Sequence, residues 1–145
     1  MLKKILLATD GSDISKKAIA AAVEFAASYG SKIVGVAVAE VFESLIMPDM
    51  GAAYDLRGIE REIHQQTERN AQFIADCAKT AGAQCEVHTV SGVHPHEEIL
   101  RLATQLDCDS IFMASHGRKG MDKLLLGSET QKVLAYSKIP VLVFK

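Results

Sequence analysis

The stretch Ser110-Ile-Phe-Met-Ala-Ser-His-Gly117 joins an apolar run to a glycine-containing turn, and Gly127-Ser-Glu-Thr-Gln131 follows nine residues later. The apolar part, Ser110 to Ala114, predicts a buried strand. The later part is typical of a capping box, in which the serine hydroxyl caps a short helix that directs Val133 and Leu134 inward. The turn between the two parts therefore leads from a strand into a helix.

This turn has the composition of a phosphate-binding loop. Gly117 and Gly127 can adopt backbone angles that other residues avoid, and they allow a ligand to approach the backbone closely. The first amides of the following helix lack partners within the helix. Together with the positive end of the helix dipole they favour an anion, the dipole contributing about 0.3–1 kcal/mol. The alternative is that the glycines only terminate structure and that Ser128 only caps a helix.

Apolar runs and helical periods alternate along the rest of the chain. Strands are predicted at Ile5 to Ala8, Ile33 to Val38, Cys85 to Val90, Ile111 to Ala114 and Val141 to Phe144,. Helices are predicted from Ile14 to Tyr29, from Glu60 to Ala81, from Pro95 to near Asp107 and from Ser128 onward. The second strand is apolar almost throughout and should be interior, whereas the third alternates and should lie at an edge. This order predicts an α/β fold with a doubly wound, five-stranded, mainly parallel sheet, helices on both faces and strand order 3-2-1-4-5.

Length and composition are those of an ordinary globular protein. We expect one domain spanning residues 1–145, and 48% hydrophobic with 23% charged residues gives no sign of disorder,. A net charge of -2 without a local basic patch argues against a nucleic-acid partner,. The apolar run at the N-terminus is short for a signal peptide or a membrane span, and three cysteines without a Cys-x-x-Cys pair fit reduced thiols,. We therefore expect a cytoplasmic protein.

A second turn, Thr9-Asp-Gly-Ser12, follows the first predicted strand. Ligands of doubly wound sheets bind beyond the carboxyl ends of strands, where neighbouring connections diverge to opposite faces. If strands one and four are neighbours, Asp10 faces the glycine turn across a crevice. Its carboxylate can then accept hydrogen bonds from sugar hydroxyls while the glycine amides hold phosphates. The alternative is that Asp10 is only a turn residue, with Ser12 as the helix cap.

Five separated motifs resemble those of the universal stress protein family. They are Thr9-Asp-Gly-Ser12, His94-Pro-His-Glu-Glu-Ile99, Ala114-Ser-His-Gly-Arg118, Leu124-Leu-Leu-Gly-Ser128 and Pro140-Val-Leu-Val-Phe144. The resemblance spans the whole chain and is to the ATP-binding subgroup, whose pattern is glycine, two residues, glycine, nine residues, then glycine with serine or threonine. Ala114 stands in place of the first glycine. It adds a methyl group where backbone and ribose would meet.

The resemblance implies a binding site for ATP or AMP, with magnesium accompanying the nucleotide. Asp10 would contact the ribose, Thr9 would lie beside the phosphates, and Val38 would offer backbone groups to the adenine edge. Met113 and Ala114 would line the sugar. Backbone amides of Gly117, Gly127, Ser128 and Glu129, or the Ser128 hydroxyl, would hold the phosphates. Arg118, Lys119 and Lys123 in the same loop would balance the phosphate charge; the alternative is that they form a solvated basic loop. Because Glu129 is acidic, only its amide is expected to contact the phosphates.

The resemblance also implies a homodimer formed through the last strand. Val141 to Phe144 is apolar, and an unpaired edge of this kind invites association unless it is protected. The alternative is that another segment of the same chain covers the edge. The function implied is that of a stress-response protein acting as a nucleotide-dependent dimeric regulator or interaction module for an unknown protein client.

Two other functions remain open, a slow ATPase and a nucleotide-free dimeric interaction protein of the same fold. The sequence contains no Gly-x-x-x-x-Gly-Lys-Ser/Thr motif and no obvious paired-carboxylate metal site,. We interpret His116 as a loop histidine held by backbone hydrogen bonds, assign no catalytic residue, and expect ATP turnover below about 1 s⁻¹. The retained Gly117 and Gly127 favour nucleotide binding, whereas Ala114 favours the nucleotide-free alternative.

Other patterns in the sequence are less informative. A response-regulator receiver would need an aspartate after the third strand, where the chain has Ser91-Gly-Val93. Cys85 and His88 fall on opposite faces of an alternating strand, so the neighbouring histidines match no zinc-binding pattern. The segment Glu40 to Arg57 has no clean period, and we interpret it as a partly ordered flap beside the site or an idle insertion.

Overall fold

The computed structural model describes residues 2–41, 56–117 and 126–145, over which strands and helices alternate. The strands are β1 (Lys4–Thr9), β2 (Lys32–Glu40), β3 (Gln84–Gly92), β4 (Ser110–Ala114) and β5 (Val141–Phe144). The helices are α1 (Asp13–Tyr29), α2 (Leu56–Ala81), α3 (Pro95–Gln105) and α4 (Ser128–Tyr136). Most of the predicted flap, Glu40 to Arg57, lies outside the described residues.

The five strands form one parallel sheet in the order β3-β2-β1-β4-β5. In the middle of the sheet, Ile5 of β1 lies opposite both Ile33 of β2 and Ser110 of β4. The predicted α/β architecture and strand order are confirmed. β2 is interior and β3 is an edge strand, as their hydrophobic patterns indicated.

Each face of the sheet has its own hydrophobic core. Ile5 and Leu7 of β1 point to the face covered by α1 and α2, whereas Leu6 between them points to the face covered by α3 and α4. All three side chains are completely buried. A strand covered on both faces needs apolar side chains at every position, which explains the unbroken apolar run in the sequence.

Several helices begin or end at the predicted positions, with the capping residues that are usual there. The Ser12 hydroxyl accepts a hydrogen bond from the Ser15 amide at 3.3 Å, so Ser12 caps α1, as the alternative interpretation of this turn expected,. Gly30 ends α1 at a φ of 68°, in the left-handed region that glycine tolerates best,. The α2 helix begins at Leu56, four residues before the predicted start at Glu60.

None of the helices in the described ranges is long and apolar enough to cross a membrane.

The start of α4 differs from the prediction. Its N-cap is Gly127, without a side-chain cap, and the Gln131 side chain donates to the Leu126 carbonyl at 2.6 Å. The capping-box interpretation was therefore wrong. Val133 is completely buried as predicted, but Leu134 is 41% exposed. Consecutive helix residues lie about 100° apart around the axis, so the two side chains cannot both face the sheet.

The three cysteines are free, with Cys108 buried and Cys77 and Cys85 half-buried. Burial raises the pKa of the Cys108 thiol to about 11, and the opposing effect of Lys4 is smaller than that of burial. The thiol is therefore protonated at neutral pH. This agrees with the prediction of reduced, partly buried cysteines.

Candidate functional site

A crevice opens at the carboxyl ends of β1 and β4, which are neighbours in the sheet. The chain leaves β1 toward α1 on one face of the sheet, and it leaves β4 toward α4 on the other face. Diverging connections of this kind create the usual ligand position of doubly wound sheets. The crevice has a volume of about 630 Å³, within the roughly 300–1,000 Å³ typical of small-molecule sites.

The structure brings together every predicted site residue that it describes. Nine of them line the crevice: Thr9, Asp10, Val38, Met113, Ala114, Gly117, Gly127, Ser128 and Glu129. Arg118, Lys119 and Lys123 lie outside the described residues. Contact between these nine residues and a nucleotide stays a prediction.

Hydrogen bonds within the β1–α1 turn hold Asp10 in place. Asp10 Oδ1 accepts from the Ser12 amide at 3.0 Å, and Thr9 Oγ1 accepts from the Gly11 amide at 3.1 Å. The Thr9 hydroxyl also lies 2.6 Å from the buried Ser15 hydroxyl. Asp10 therefore acts as a turn residue through Oδ1, and it also lines the crevice.

The two predicted turns meet at Asp10 and Gly117. A Cβ atom built on Gly117 would overlap Asp10 Oδ2, so any larger residue here would have to displace the Asp10 carboxylate from this arrangement. Gly117 is not in the left-handed region, so space rather than backbone conformation makes this requirement. The carboxylate thus faces the glycine turn as predicted.

The start of α4 is attached to the end of β4. The Gly127 amide donates to the Ser115 carbonyl at 2.8 Å, and the Thr130 hydroxyl donates to the Ala114 carbonyl at 3.0 Å. A Cβ on Gly127 would lie 3.1 Å from the His116 backbone, a tight contact. The first turn of α4, whose amides have no acceptors within the helix, is therefore held at the edge of the crevice.

The Glu129 side chain connects α4 to the start of α3. Its Oε2 accepts from the His96 amide at 2.7 Å and lies 2.8 Å from His96 Nδ1, while its Oε1 lies 3.2 Å from Lys132 Nζ. Partial burial opposes ionisation of Glu129, but the hydrogen bonds from His96 and Lys132 outweigh it and lower the pKa of the carboxyl group,. The carboxylate is therefore ionised at neutral pH.

The wall of the crevice formed by α2 was not predicted from the sequence. This wall consists of Ile59, Glu62, Ile63, Gln66, Thr67, Arg69 and Asn70. Gln66 donates to Asn70 Oδ1 at 2.9 Å, and a Cβ on Gly11 would overlap the Asn70 side chain. Thr67 is a polar residue on the apolar face of the predicted helix. It was the signal that this face borders the crevice as well as the hydrophobic core.

His116 also lines the crevice, and within the described residues its ring bonds to a side chain rather than to the backbone. His116 Nδ1 lies 3.0 Å from the Ser115 hydroxyl. Within the described ranges, no group of three His, Cys, Asp or Glu side chains is placed to hold a metal ion. The described geometry is that of a binding crevice with a carboxylate on one side and a helix N-terminus on the other.

Comparison with known sequences gives one consistent result. The profile described as "Universal stress protein family" matches residues 1–145. A universal stress protein of Thermus aquaticus is 32% identical, with 100% of both chains covered.

Solved structures with the same fold include nucleotide complexes. Protein MJ0577 of Methanocaldococcus jannaschii superimposes with a TM-score of 0.83 at 27% identity, covering 100% of this chain and 96% of its own. A universal stress protein in complex with cAMP has a TM-score of 0.66 at 25% identity, with 98% and 95% covered. One from Archaeoglobus fulgidus in complex with dAMP has a TM-score of 0.70 at 20% identity, with 100% of both chains covered.

Proposed function

The chain belongs to the universal stress protein family, and we propose that it binds an adenine nucleotide in the crevice between the β1–α1 turn and the start of α4. The observation that carries this proposal is the contact between Asp10 and Gly117, which sets a carboxylate beside a glycine turn at the fold's usual ligand position,. The cAMP and dAMP complexes of proteins with this fold support an adenine nucleotide as the ligand.

Each part of the nucleotide would have its own partners. Val38, at the end of β2, would offer backbone groups to the adenine edge, and Asp10 would accept hydrogen bonds from the ribose hydroxyls. The first amides of α4 would bind the phosphates, favoured by the positive end of the helix dipole. Arg118 belongs to the same proposal as a balancing cation, and magnesium would accompany ATP. If the chain binds ATP, it belongs to the ATP-binding subgroup of the family.

Titration calorimetry on the purified chain, freed of bound nucleotide, tests this function. We expect saturable binding of AMP, ADP or ATP with one site per chain. In Asp10→Asn the affinity should fall about fivefold to tenfold, or about 1–1.4 kcal/mol, because the amide keeps the bond to Ser12 but accepts ribose hydroxyls poorly. Asp13→Asn, at the exposed first turn of α1, is the matched control. Absence of binding at millimolar nucleotide would instead favour a nucleotide-free interaction module.

We assign the chain a role in nucleotide binding rather than in rapid ATP turnover. In this proposal it is a single cytoplasmic domain that acts in a stress response through a protein client. Neither His116 nor any described carboxylate is assigned a catalytic step. Slow ATP hydrolysis, below about 1 s⁻¹, remains the alternative, and release of phosphate faster than this would overturn the assignment of a binding role.

A homodimer through β5 completes the proposal. β5 lies at the edge of the sheet, and its Leu142 side chain is 48% exposed. An apolar edge strand of this kind is protected when a second copy pairs with it. Sedimentation equilibrium should give twice the mass of one chain, and Leu142→Lys should shift the protein toward the monomer. Phe73→Lys, on the exposed side of α2, should leave the dimer intact, and a monomeric wild-type chain would refute the assembly.

A further inference from the structure

A negative side chain stands where the proposed function places the phosphates. Glu129 is in the first turn of α4 and lines the crevice together with Gly127 and Ser128. The amides of this turn attract an anion, whereas the Glu129 carboxylate repels it. Since only 34% of the side chain is exposed, water screens its charge only in part,.

The carboxylate cannot easily move away from this position. Glu129 Oε2 is held by two bonds from His96, which is only 8% exposed, and Oε1 is held by Lys132. The N-cap residue of α3, His94, makes no side-chain cap. Glu129 caps α3 from the neighbouring helix, so a swing of its side chain would leave the His96 amide without this acceptor.

Among the described residues, Lys132 opposes the charge of Glu129, since its Nζ lies 3.2 Å from Glu129 Oε1. Carboxylates from Asp10, Glu40, Glu62 and Glu129 line the crevice, and among the described lining residues the guanidinium of Arg69 opposes them. Electrostatic repulsion grows with the charge of the ligand, and each added phosphate group adds charge near the start of α4. Glu129 should therefore act more strongly on a triphosphate than on a monophosphate.

We propose that Glu129 is a specificity-determining residue that disfavours nucleotides with a long phosphate chain. The inference rests on the proposed nucleotide site and adds to it the selection of phosphate number. The amides of α4 donate hydrogen bonds to one phosphate, and the fixed carboxylate beside them opposes the binding of further phosphates. Lys132 limits the effect by partly neutralising the carboxylate.

The test compares AMP, ADP and ATP by calorimetry in EDTA, with the wild-type chain and with Glu129→Gln. Glutamine keeps an oxygen that can accept from the His96 amide and removes the charge. We expect the affinity for AMP to rise about twofold and that for ATP about tenfold, or about 1.4 kcal/mol, with ADP between them. Glu24→Gln, an exposed position on α1 outside the crevice, removes the same charge and should change none of the three.

The outcomes separate this inference from the proposed function. If the wild-type chain and the variant bind all three nucleotides with the same affinity ratios, the selection by Glu129 is refuted and the site stands. If neither binds any nucleotide, the proposed function fails first. Circular dichroism checks the fold, and Glu129→Met is a second neutral variant should the glutamine variant not fold. A graded change from AMP to ATP is the result that a merely structural role would not give.

Discussion

Gly117→Val is expected to weaken AMP binding by more than about tenfold, or at least about 1.4 kcal/mol. A Cβ at this position would overlap Asp10 Oδ2, so the valine must displace either the carboxylate or the glycine turn. Either displacement would separate the Asp10 carboxylate, which is proposed to bind the ribose, from the α4 amides, which are proposed to bind the phosphates. Because Gly117 is not in the left-handed region, valine causes little backbone strain. The loss should therefore appear in the calorimetric affinity more than in the melting temperature.

A double-mutant cycle shows whether the valine acts through Asp10. In the Asp10→Asn background the added valine should cost less than in the wild-type chain, because residues in contact have non-additive effects. Ser91→Val adds the same branched group on the exposed side of β3 and serves as the control. Wild-type affinity in a folded Gly117→Val protein would mean that the two turns do not hold one ligand together.

The sheet was predictable because each strand is marked by a pattern of residues that are neighbours in sequence. Ile5 to Ala8 and Ile33 to Val38 are unbroken apolar runs, which a strand needs when helices cover both faces. The alternation from Cys85 to Val90 marked the edge strand in the same way. Glycines at positions 30 and 82, both with positive φ, marked the ends of α1 and α2. These signals involve neighbours in sequence, so they can be read without coordinates.

The start of α4 shows where local patterns mislead. Ser128-Glu-Thr-Gln131 matches a capping box, yet the chain approaches from Gly127, whose amide is bonded to the Ser115 carbonyl. This tertiary bond shifts the cap by one residue. The Glu129 carboxylate bonds to His96, a residue 33 positions away in sequence. No spacing within α4 predicts that partner.

Only the part of the site that lies at the ends of β1 and β4 was predictable from the sequence. Asp10 and Gly117 follow β1 and β4, so the topology alone places them at one edge of the sheet,. The α2 wall depends on how a helix of 26 residues lies across β2 and β3. That orientation results from side-chain packing over the whole face, such as the fit of Ile74 against Gly35. The sequence offers only an indirect sign of it in Thr67.

Phe112→Ala is expected to lower the free energy of unfolding by about 3–5 kcal/mol, the usual range for a buried phenylalanine. Phe112 is 1% exposed in β4, and its ring centroid lies 5.7 Å from those of both Phe25 in α1 and Phe144 in β5. Truncation removes the ring that connects α1 to the edge strand. The cavity would be bounded by rigid strands, so little of it can be filled by relaxation. The melting temperature should fall by roughly 10 °C.

Two further variants determine whether ring burial is the cause. Phe112→Leu keeps most of the volume and should cost less than half as much, whereas Phe73→Ala removes a ring that is 40% exposed on α2 and should cost about 1 kcal/mol or less,. Urea denaturation gives all three values. A loss below about 1 kcal/mol for Phe112→Ala would mean that Phe25 and Phe144 close the gap. Since Met113 and Ala114 follow Phe112 directly, such a movement would also shift the floor of the crevice, and AMP affinity measured on the same variant would detect it.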